Sequence, residues 1–167
     1  MVRDFLAKHG ALIYKSASGV RSIVRRLKPD DLERLVDIVW CPTQFQQYLR
    51  GRDYRVHVIG DAVFCSEVVS DAIDYRYAGR EGEGVDLYAS ALPDEVEERC
   101  RALVGSLGLV AAGVDLRLTP SGEWVCFEVN PMPAFTYYEA ATGQPMADAM
   151  ARLLMSGSSK RPLFVGL

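Results

Sequence analysis

Two β-hairpins are the clearest feature in the pattern of hydrophobic and polar positions. Alternating residues flank Gly60-Asp61, and glycine as the first residue of a two-residue turn favours a tight hairpin that places Arg55 opposite Ser66. A second pair of alternating runs, residues 113–118 and 124–130, surrounds a short turn that contains proline, serine and glycine. The pattern therefore predicts antiparallel strands at both places.

Helices and further strands account for most of the remaining apolar positions. Apolar residues at helical spacing, with Pro-Asp at two of the starts and glycine at two of the ends, predict four helices. In chain order the predicted elements are a short helix ending at His9-Gly10, strand 11–15, strand 23–27, a helix from Pro29, strand 43–49, the first hairpin, a helix from Pro93 to Gly108, the second hairpin, and helix 144–155. The apolar positions of the helix from Pro29 are Leu32, Leu35, Val36 and Val39. Those of the helix from Pro93 are Val96, Cys100, Leu103, Val104 and Leu107. The glycine-rich segment from Asp71 to Asp86 is predicted to be a surface loop.

The second hairpin places charged residues in an unusual arrangement. A symmetric turn between Thr119 and Trp124 sets Asp115 directly opposite Glu128, and Asn130 shares their face because strand side chains alternate. On the other face this register pairs Leu116 with Phe127 and Leu118 with Val125. Opposed carboxylates repel each other, so a cation, a proton or an arginine must compensate.

A divalent metal is the first interpretation of this acidic face. Carboxylate and amide oxygens suit Mg²⁺, which takes water and substrate phosphates as its remaining ligands. The competing interpretation is a solvated hairpin in which Arg117 neutralises one acid. From the residues alone, the two interpretations carry similar weight.

Composition narrows the class of protein. The 167 residues are 49% hydrophobic and carry a net charge of −3 with dispersed Lys and Arg, which does not favour a nucleic-acid partner. We expect no membrane span and a cytoplasmic location, because the apolar runs are short and no secretion signal is evident. The four cysteines are widely spaced, and we expect all of them to be buried, reduced and structural. The two histidines are too isolated for a hydrolase triad.

Several segments, taken together, resemble the ATP-grasp ligases. Gly-Val-Asp-Leu-Arg-Leu at 113–118 with Phe-Glu-Val-Asn-Pro at 127–131 is similar to that family's metal-binding end. Ile-Tyr-Lys15 with the following small-residue loop looks like its nucleotide lysine and phosphate loop, and Phe-Gln-Gln-Tyr-Leu at 45–49 looks like its adenine-binding hinge. Within the family, the chain most resembles the branch that modifies peptides, including ribosomal-protein glutamate ligases and microviridin-type macrocycle ligases.

The resemblance implies a fold and a reaction. The fold would be the C-terminal part of ATP-grasp, an α+β structure with a largely antiparallel sheet and packed helices. The reaction would be ATP- and Mg²⁺-dependent joining of a carboxylate to an amine or hydroxyl through an acyl phosphate, on a peptide or protein substrate.

The same resemblance implies a role for individual residues. Asp115, Glu128 and Asn130 would hold Mg²⁺, and Lys15 would contact the ATP phosphates. Gln47, Tyr48 and Leu49 would bind the cofactor near its adenine, and Asp53 would bind it near the ribose. Arg55 would have a catalytic role at the γ-phosphate or the acyl phosphate, and Arg76 would hold the acceptor peptide.

Each implied role has a plainer alternative from the residues themselves. Lys15 could be a solvated charge at a strand end, and Asp53 could be a turn residue. Arg55 could lie along the sheet with its charged end in water, and Arg76 could be an ordinary surface charge. Position within the family motifs favours function for Lys15 and Arg55, leaves both interpretations of Asp53 open, and is the sole support for a substrate role of Arg76.

The chain is short for this family. We expect residues 1–155 to form the C-terminal part of ATP-grasp without the N-terminal domain, and residues 156–167 to be a tail. The missing domain or a second copy of the chain would then be an expected partner. The alternative function is a nucleotide-binding fragment or scaffold module that lacks turnover.

Overall fold

The computed structural model describes residues 1–17, 23–70 and 84–157. Helices and antiparallel strands form two compact units: Met1–Arg50 with Ser70–Val85, and Gly51–Val69 with Asp86–Leu167. We call them the first and second units. The α+β fold class with antiparallel sheets is confirmed. Across the described ranges, no helix is both long enough and apolar enough to cross a membrane.

The first unit contains a three-stranded antiparallel sheet in the order β2-β1-β3. Its elements are α1 (Val2–His9), β1 (Leu12–Ser16), β2 (Arg25–Arg26), a 3₁₀ helix (Pro29–Val39) and β3 (Thr43–Gln47). The predicted first helix and first strand are confirmed within one residue. The predicted strand 23–27 is reduced to the two residues of β2.

The 3₁₀ helix differs from the predicted α-helix in the face it buries. A 3₁₀ helix has three residues per turn, so side chains three apart lie above one another. Leu32, Leu35 and Ile38 accordingly face inward, whereas Val36 and Val39 are 71% and 75% exposed. The prediction that Val36 and Val39 pack inward is wrong, because it assumed a period of 3.6 residues.

The second unit is built on a five-stranded antiparallel sheet in the order β6-β5-β4-β7-β8. Its elements are β4 (Arg52–Ile59), β5 (Ala62–Val69), β6 (Asp86–Ser90), α2 (Asp94–Ser106), β7 (Ala111–Leu118), β8 (Trp124–Asn130), α3 (Thr136–Thr142) and α4 (Met146–Met155). The turn at Gly60-Asp61 and the pairing of Arg55 with Ser66 are confirmed. Sequence reasoning did not predict β6 or α3.

The hydrophobic core of the second unit lies between one sheet face and α2. Val56 and Val114 are fully buried at the centre of the sheet and cluster with Cys100 and Val104 of α2. The helix ends near Gly108 as predicted, but Leu107 is exposed rather than part of the apolar face. The opposite face of the sheet contacts the segment containing α3, and it carries the polar side chains.

A β-bulge interrupts the second hairpin next to the acidic pair. Asp115 opposes Glu128 as predicted, but Leu116 then opposes Cys126, which leaves Phe127 as an extra residue. The predicted pairs of Leu116 with Phe127 and Leu118 with Val125 are therefore wrong. The bulge has a packing reason: strict alternation would place Trp124 and Val129 on opposite faces, and with the bulge both pack against the core.

The cysteines do not all lie in the core. All four are free thiols, of which Cys65 and Cys100 are buried whereas Cys41 and Cys126 are exposed. Burial raises the pKa of Cys65 to about 12 and that of Cys100 to about 11. The expectation of four buried cysteines is thus wrong for Cys41 and Cys126.

Candidate active site

A row of opposed residues crosses the second unit's sheet on its polar face. Ala89, Ser66, Arg55, Asp115 and Glu128 are successive ladder partners on β6, β5, β4, β7 and β8. We call this set the central row. It places an arginine, two carboxylates and a hydroxyl side by side, because directly opposed residues point to the same face of a sheet.

The three predicted metal ligands share this face. Glu128 lies opposite Asp115, and Asn130, two residues further along β8, lies opposite Gly113. The Oδ1 atom of Asn130 accepts a hydrogen bond from the backbone N–H of Met132 over 2.8 Å. That bond fixes the amide, and a carbonyl oxygen has a second lone pair for another partner.

Arg55 supplies the positive charge that the opposed acids require. Its Nη1 atom donates to Oδ1 of Asp115 over 2.7 Å, and the residue is only 6% exposed. The guanidinium is therefore buried, so the alternative in which Arg55 extends its charge into water is wrong.

Asp53 and Arg117 form a second ion pair on the same face. Arg117 donates from Nε and Nη2 to the two carboxylate oxygens of Asp53, over 2.7 and 2.6 Å. The competing sequence interpretation paired Arg117 with a hairpin acid. In the structure its two-pronged partner is Asp53, and Arg55 is the arginine on Asp115.

Gly113 is a site residue that sequence reasoning missed. A Cβ atom there would lie only 2.8 Å from Nε of Arg55, so the guanidinium occupies the space that a side chain would take. The available signal was a glycine in the interior of a strand, which often marks the close approach of another group.

The donor set fits a hard divalent cation. No group of three His, Cys, Asp or Glu side chains within 1–17, 23–70 and 84–157 is placed to hold a metal by itself. The candidate set is instead two carboxylates and one amide oxygen, which leaves positions for water and phosphate oxygens, the pattern typical of Mg²⁺.

The predicted nucleotide residues of the first unit lie on adjacent strands. Lys15 is on β1 opposite Gln44, and Gln47 ends β3. Tyr48 follows directly, and its ring lies 5.0 Å from the guanidinium carbon of Arg26. Leu49 comes next, beyond the end of β3.

The backbone geometry of β3 turns Gln47 away from β1. The N–H of Tyr48 donates to the carbonyl of Ala11 over 2.8 Å. Bonded and non-bonded positions alternate along an antiparallel ladder, so Gln47, opposite Leu12, is a non-bonded position. Its main-chain groups point to the outer edge of β3, the orientation that binding an adenine edge requires.

Arg76 lies outside the described residues, as do residues 71–83 around it, for which the sequence predicts a surface loop. Most of the predicted phosphate loop after Lys15, residues 18–22, lies outside them as well.

A family comparison agrees with these motifs. A model of the ATP-grasp domain matches residues 3–135 of the 167-residue chain. The chain belongs to the ATP-grasp family. Among curated relatives, the D-alanine–D-alanine ligase A of Escherichia coli K12 is 32% identical in an alignment of 130 residues that covers 65% of this chain and 35% of that ligase.

Solved ATP-grasp structures resemble the chain over nearly its whole length. The ligase PsnB, complexed with a phosphomimetic variant of minimal precursor, Mg and ADP, has a TM-score of 0.75 and 31% identity over 91% of this chain and 49% of PsnB. The macrocyclase MdnC of Microcystis aeruginosa, bound to precursor peptide MdnA, has a TM-score of 0.79 and 22% identity over 93% of this chain and 52% of MdnC. At that identity the similarity is one of fold alone. This chain thus spans about a third of ligase A and about half of PsnB.

Proposed function

We propose that the protein is an ATP- and Mg²⁺-dependent ligase that joins a carboxylate to an amine or hydroxyl on a peptide or protein. The reaction would proceed in two steps. A carboxylate oxygen attacks the γ-phosphorus of ATP, which forms an acyl phosphate and releases ADP. The amine or hydroxyl then attacks the acyl carbon, losing its proton, and inorganic phosphate leaves.

The central row carries this proposal. Asp115 and Glu128 oppose each other across one ladder position, with Asn130 on the same face. Arg55 contributes one positive charge beside these two carboxylates, so a bound cation would still lower the repulsion between them. Mg²⁺ held by these three side chains would neutralise charge on the phosphates during transfer.

Arg55 would provide positive charge beside the metal ligands. Its guanidinium is buried, bonded to Asp115 and placed over Gly113. Phosphoryl transfer depends mainly on positioning and on charge stabilisation, and a guanidinium presents several donors to phosphate oxygens. We assign Arg55 to the γ-phosphate or the acyl phosphate, and Asp53 to the ribose.

The first unit would bind the rest of the nucleotide. Lys15 is assigned to the α- and β-phosphates, the main chain of Gln47 and Leu49 to the adenine edge, and Tyr48 to the same hinge. The outward-facing main chain of Gln47 supports this assignment.

A peptide substrate is the preferred class. PsnB and MdnC, whose folds this chain shares, are complexed with precursors in their structures. A peptide supplies both groups that the proposed reaction needs, a side-chain carboxylate and an amine or hydroxyl. Arg76 is assigned to this peptide.

The deciding experiment measures nucleotide binding and turnover separately. Calorimetric titration with Mg·ATP, with and without EDTA, is run on the wild-type chain, on Glu128→Ala and on Glu98→Ala. Glu98 is an exposed acid on α2 and serves as the matched control. We expect Glu128→Ala to weaken binding by about tenfold or more, because a charged oxygen ligand of the metal is lost, and EDTA to weaken it at least as much, because it removes the metal itself. Glu98→Ala should bind like the wild type.

Turnover is then measured as ADP release with acidic precursor-type peptides. Release that depends on the peptide supports the ligase. Tight Mg·ATP binding without release from any peptide would instead indicate a nucleotide-binding module, and unchanged binding by Glu128→Ala would contradict the metal assignment.

A further inference from the structure

The guanidinium of Arg55 is enclosed by other groups of the second unit, of which Tyr138 has no role in the proposed chemistry. Its carbon lies 5.9 Å from the centre of the Tyr138 ring, within the range of a cation–π contact. Gly113 lies beneath it, and Asp115 binds Nη1. A buried arginine surrounded in this way has few rotamers open to it.

His57 packs against the ring of Tyr138. The imidazole is completely buried and meets the Tyr138 ring edge-on, with 4.9 Å between ring centres. It is two residues from Arg55 on β4, so both side chains point to the polar face. The pair of rings therefore forms a continuous aromatic support that begins at the guanidinium.

A hydrogen-bonded chain fixes Tyr138 to the central row. Ser66, the ladder partner of Arg55, donates to Oε1 of Gln144 over 3.3 Å. The Thr142 hydroxyl donates its one proton to the Tyr138 carbonyl over 2.7 Å and accepts the backbone N–H of Gln144 over 3.4 Å. Since Ser66 is fully buried, this chain joins α3 to the strand beside Arg55 from inside the unit.

We propose that Tyr138, supported by His57 and by the Ser66–Gln144 bond, is a positioning residue for the Arg55 guanidinium. The inference rests on the proposed function, in which Arg55 contacts the γ-phosphate. Tyr138 need not touch the nucleotide: it limits where the guanidinium points. Its loss should therefore weaken the binding of a triphosphate and remove the preference for a triphosphate over a diphosphate, whereas the affinity for ADP should change little.

The test compares dissociation constants for Mg·AMPPNP and Mg·ADP in the intact chain. The measured quantity is the ratio of the dissociation constant for ADP to that for AMPPNP. A merely structural defect weakens the binding of both ligands alike and leaves this ratio unchanged. Variants are Tyr138→Leu, Tyr138→Phe, Gln144→Met and Arg55→Met. Tyr137→Leu is the comparison variant: Tyr137 is exposed and its ring meets that of Tyr138 with 5.5 Å between centres, so the change removes a neighbouring ring while Tyr138 itself stays in place.

We expect a clear order among the variants. Tyr138→Leu should lower the ratio by about tenfold, close to that of Arg55→Met, since a charge-assisted bond to phosphate is worth roughly that factor. Tyr138→Phe keeps the ring and should keep the ratio, as should Tyr137→Leu. Gln144→Met should also lower the ratio, by a smaller factor. If Tyr138→Leu does not fold, Gln144→Met tests the inference alone. Adding Tyr138→Leu to Arg55→Met should change the ratio no further.

The outcomes separate this inference from the proposed function. A wild-type chain without Mg²⁺-dependent binding of either nucleotide overturns the proposed function and the inference with it. Wild-type binding with a ratio that neither Tyr138→Leu nor Gln144→Met lowers overturns the inference alone.

Discussion

At Gly113 the chain of β7 passes directly beneath the Arg55 guanidinium, and the position has no room for a side chain. Gly113→Ala should force the guanidinium away from Asp115 and destabilise the fold by about 1–3 kcal/mol, the cost of unpairing partly buried charges. The control is Gly105→Ala in α2, where a Cβ would meet nothing within 4 Å. There alanine should stabilise by up to about 1 kcal/mol. Urea denaturation of both variants measures whether each change raises or lowers the free energy of unfolding. Equal effects in the two variants would contradict the close approach of the Arg55 guanidinium to Gly113.

His57 should make stability depend on pH. Burial lowers its pKa from 6.5 to about 4, the positive charge of Arg55 adds to this, and the Ala134 backbone opposes it. Between these values the unfolded chain binds a proton that the folded chain does not. The free energy of unfolding should therefore fall as pH drops from 6.5 towards 4, by up to about 1.4 kcal/mol per pH unit.

The variant His57→Phe isolates this contribution from that of the carboxylates. Its stability relative to the wild type should be constant above pH 7 and should improve steadily from pH 6.5 downward, as measured by urea denaturation at several pH values. A difference that does not vary with pH would show that His57 has the same pKa in the folded and the unfolded protein.

The 3₁₀ helix makes a prediction at the scale of a single element. Ile38 faces inward and lines a cavity of about 180 Å³ with Leu35 and Phe45, whereas Val39 is exposed. Ile38→Ala should cost about 1–2 kcal/mol, less than a fully buried isoleucine, and Val39→Ala less than about 0.5 kcal/mol. Thermal denaturation of the two variants checks the order. The reverse order would indicate the α-helical face that the sequence pattern favours.

The elements that the sequence predicted are those specified by local pattern. The turn at Gly60-Asp61 determines the register of β4 and β5, so the opposition of Arg55 and Ser66 follows from it. The bulge at Phe127 could not be predicted in this way, because alternation alone does not reveal an extra residue. The 3₁₀ helix was mistaken for α because Leu32 and Leu35 fit both periods.

The candidate site was predictable only within one hairpin. The opposition of Asp115 and Glu128 follows from a local turn. The contact between Arg55 and Asp115 requires β4 to lie beside β7, which is a long-range pairing that no local pattern encodes. Tyr138 was missed because α3 has only seven residues, including tyrosines and threonines with modest helix propensity.

On the scale of the whole molecule, the thiols divide into two classes. Cys41 and Cys126 are exposed, whereas Cys65 and Cys100 are buried with raised pKa values. The thiolate is the reactive form, so a disulfide reagent at pH 8 should modify two thiols in the native protein and four in denaturant. Burial also raises the pKa of Cys126, with Asp115 and Glu128 adding to the effect, so Cys126 should react more slowly than a free thiol. Reaction of all four in the native protein would contradict the burial.

The two tryptophans lie in different units and different surroundings. Trp40, at the end of the 3₁₀ helix, is 88% exposed in the first unit. Trp124 packs in the second unit with its ring 4.9 Å from that of Tyr54. Trp40 should therefore emit at long wavelength and be quenched readily by iodide, whereas Trp124 should emit further to the blue and resist quenching. The blue-shifted, quench-resistant fluorescence of the unlabelled protein thus reports on the second unit alone, because Trp40 is already exposed in the folded first unit and changes little on unfolding.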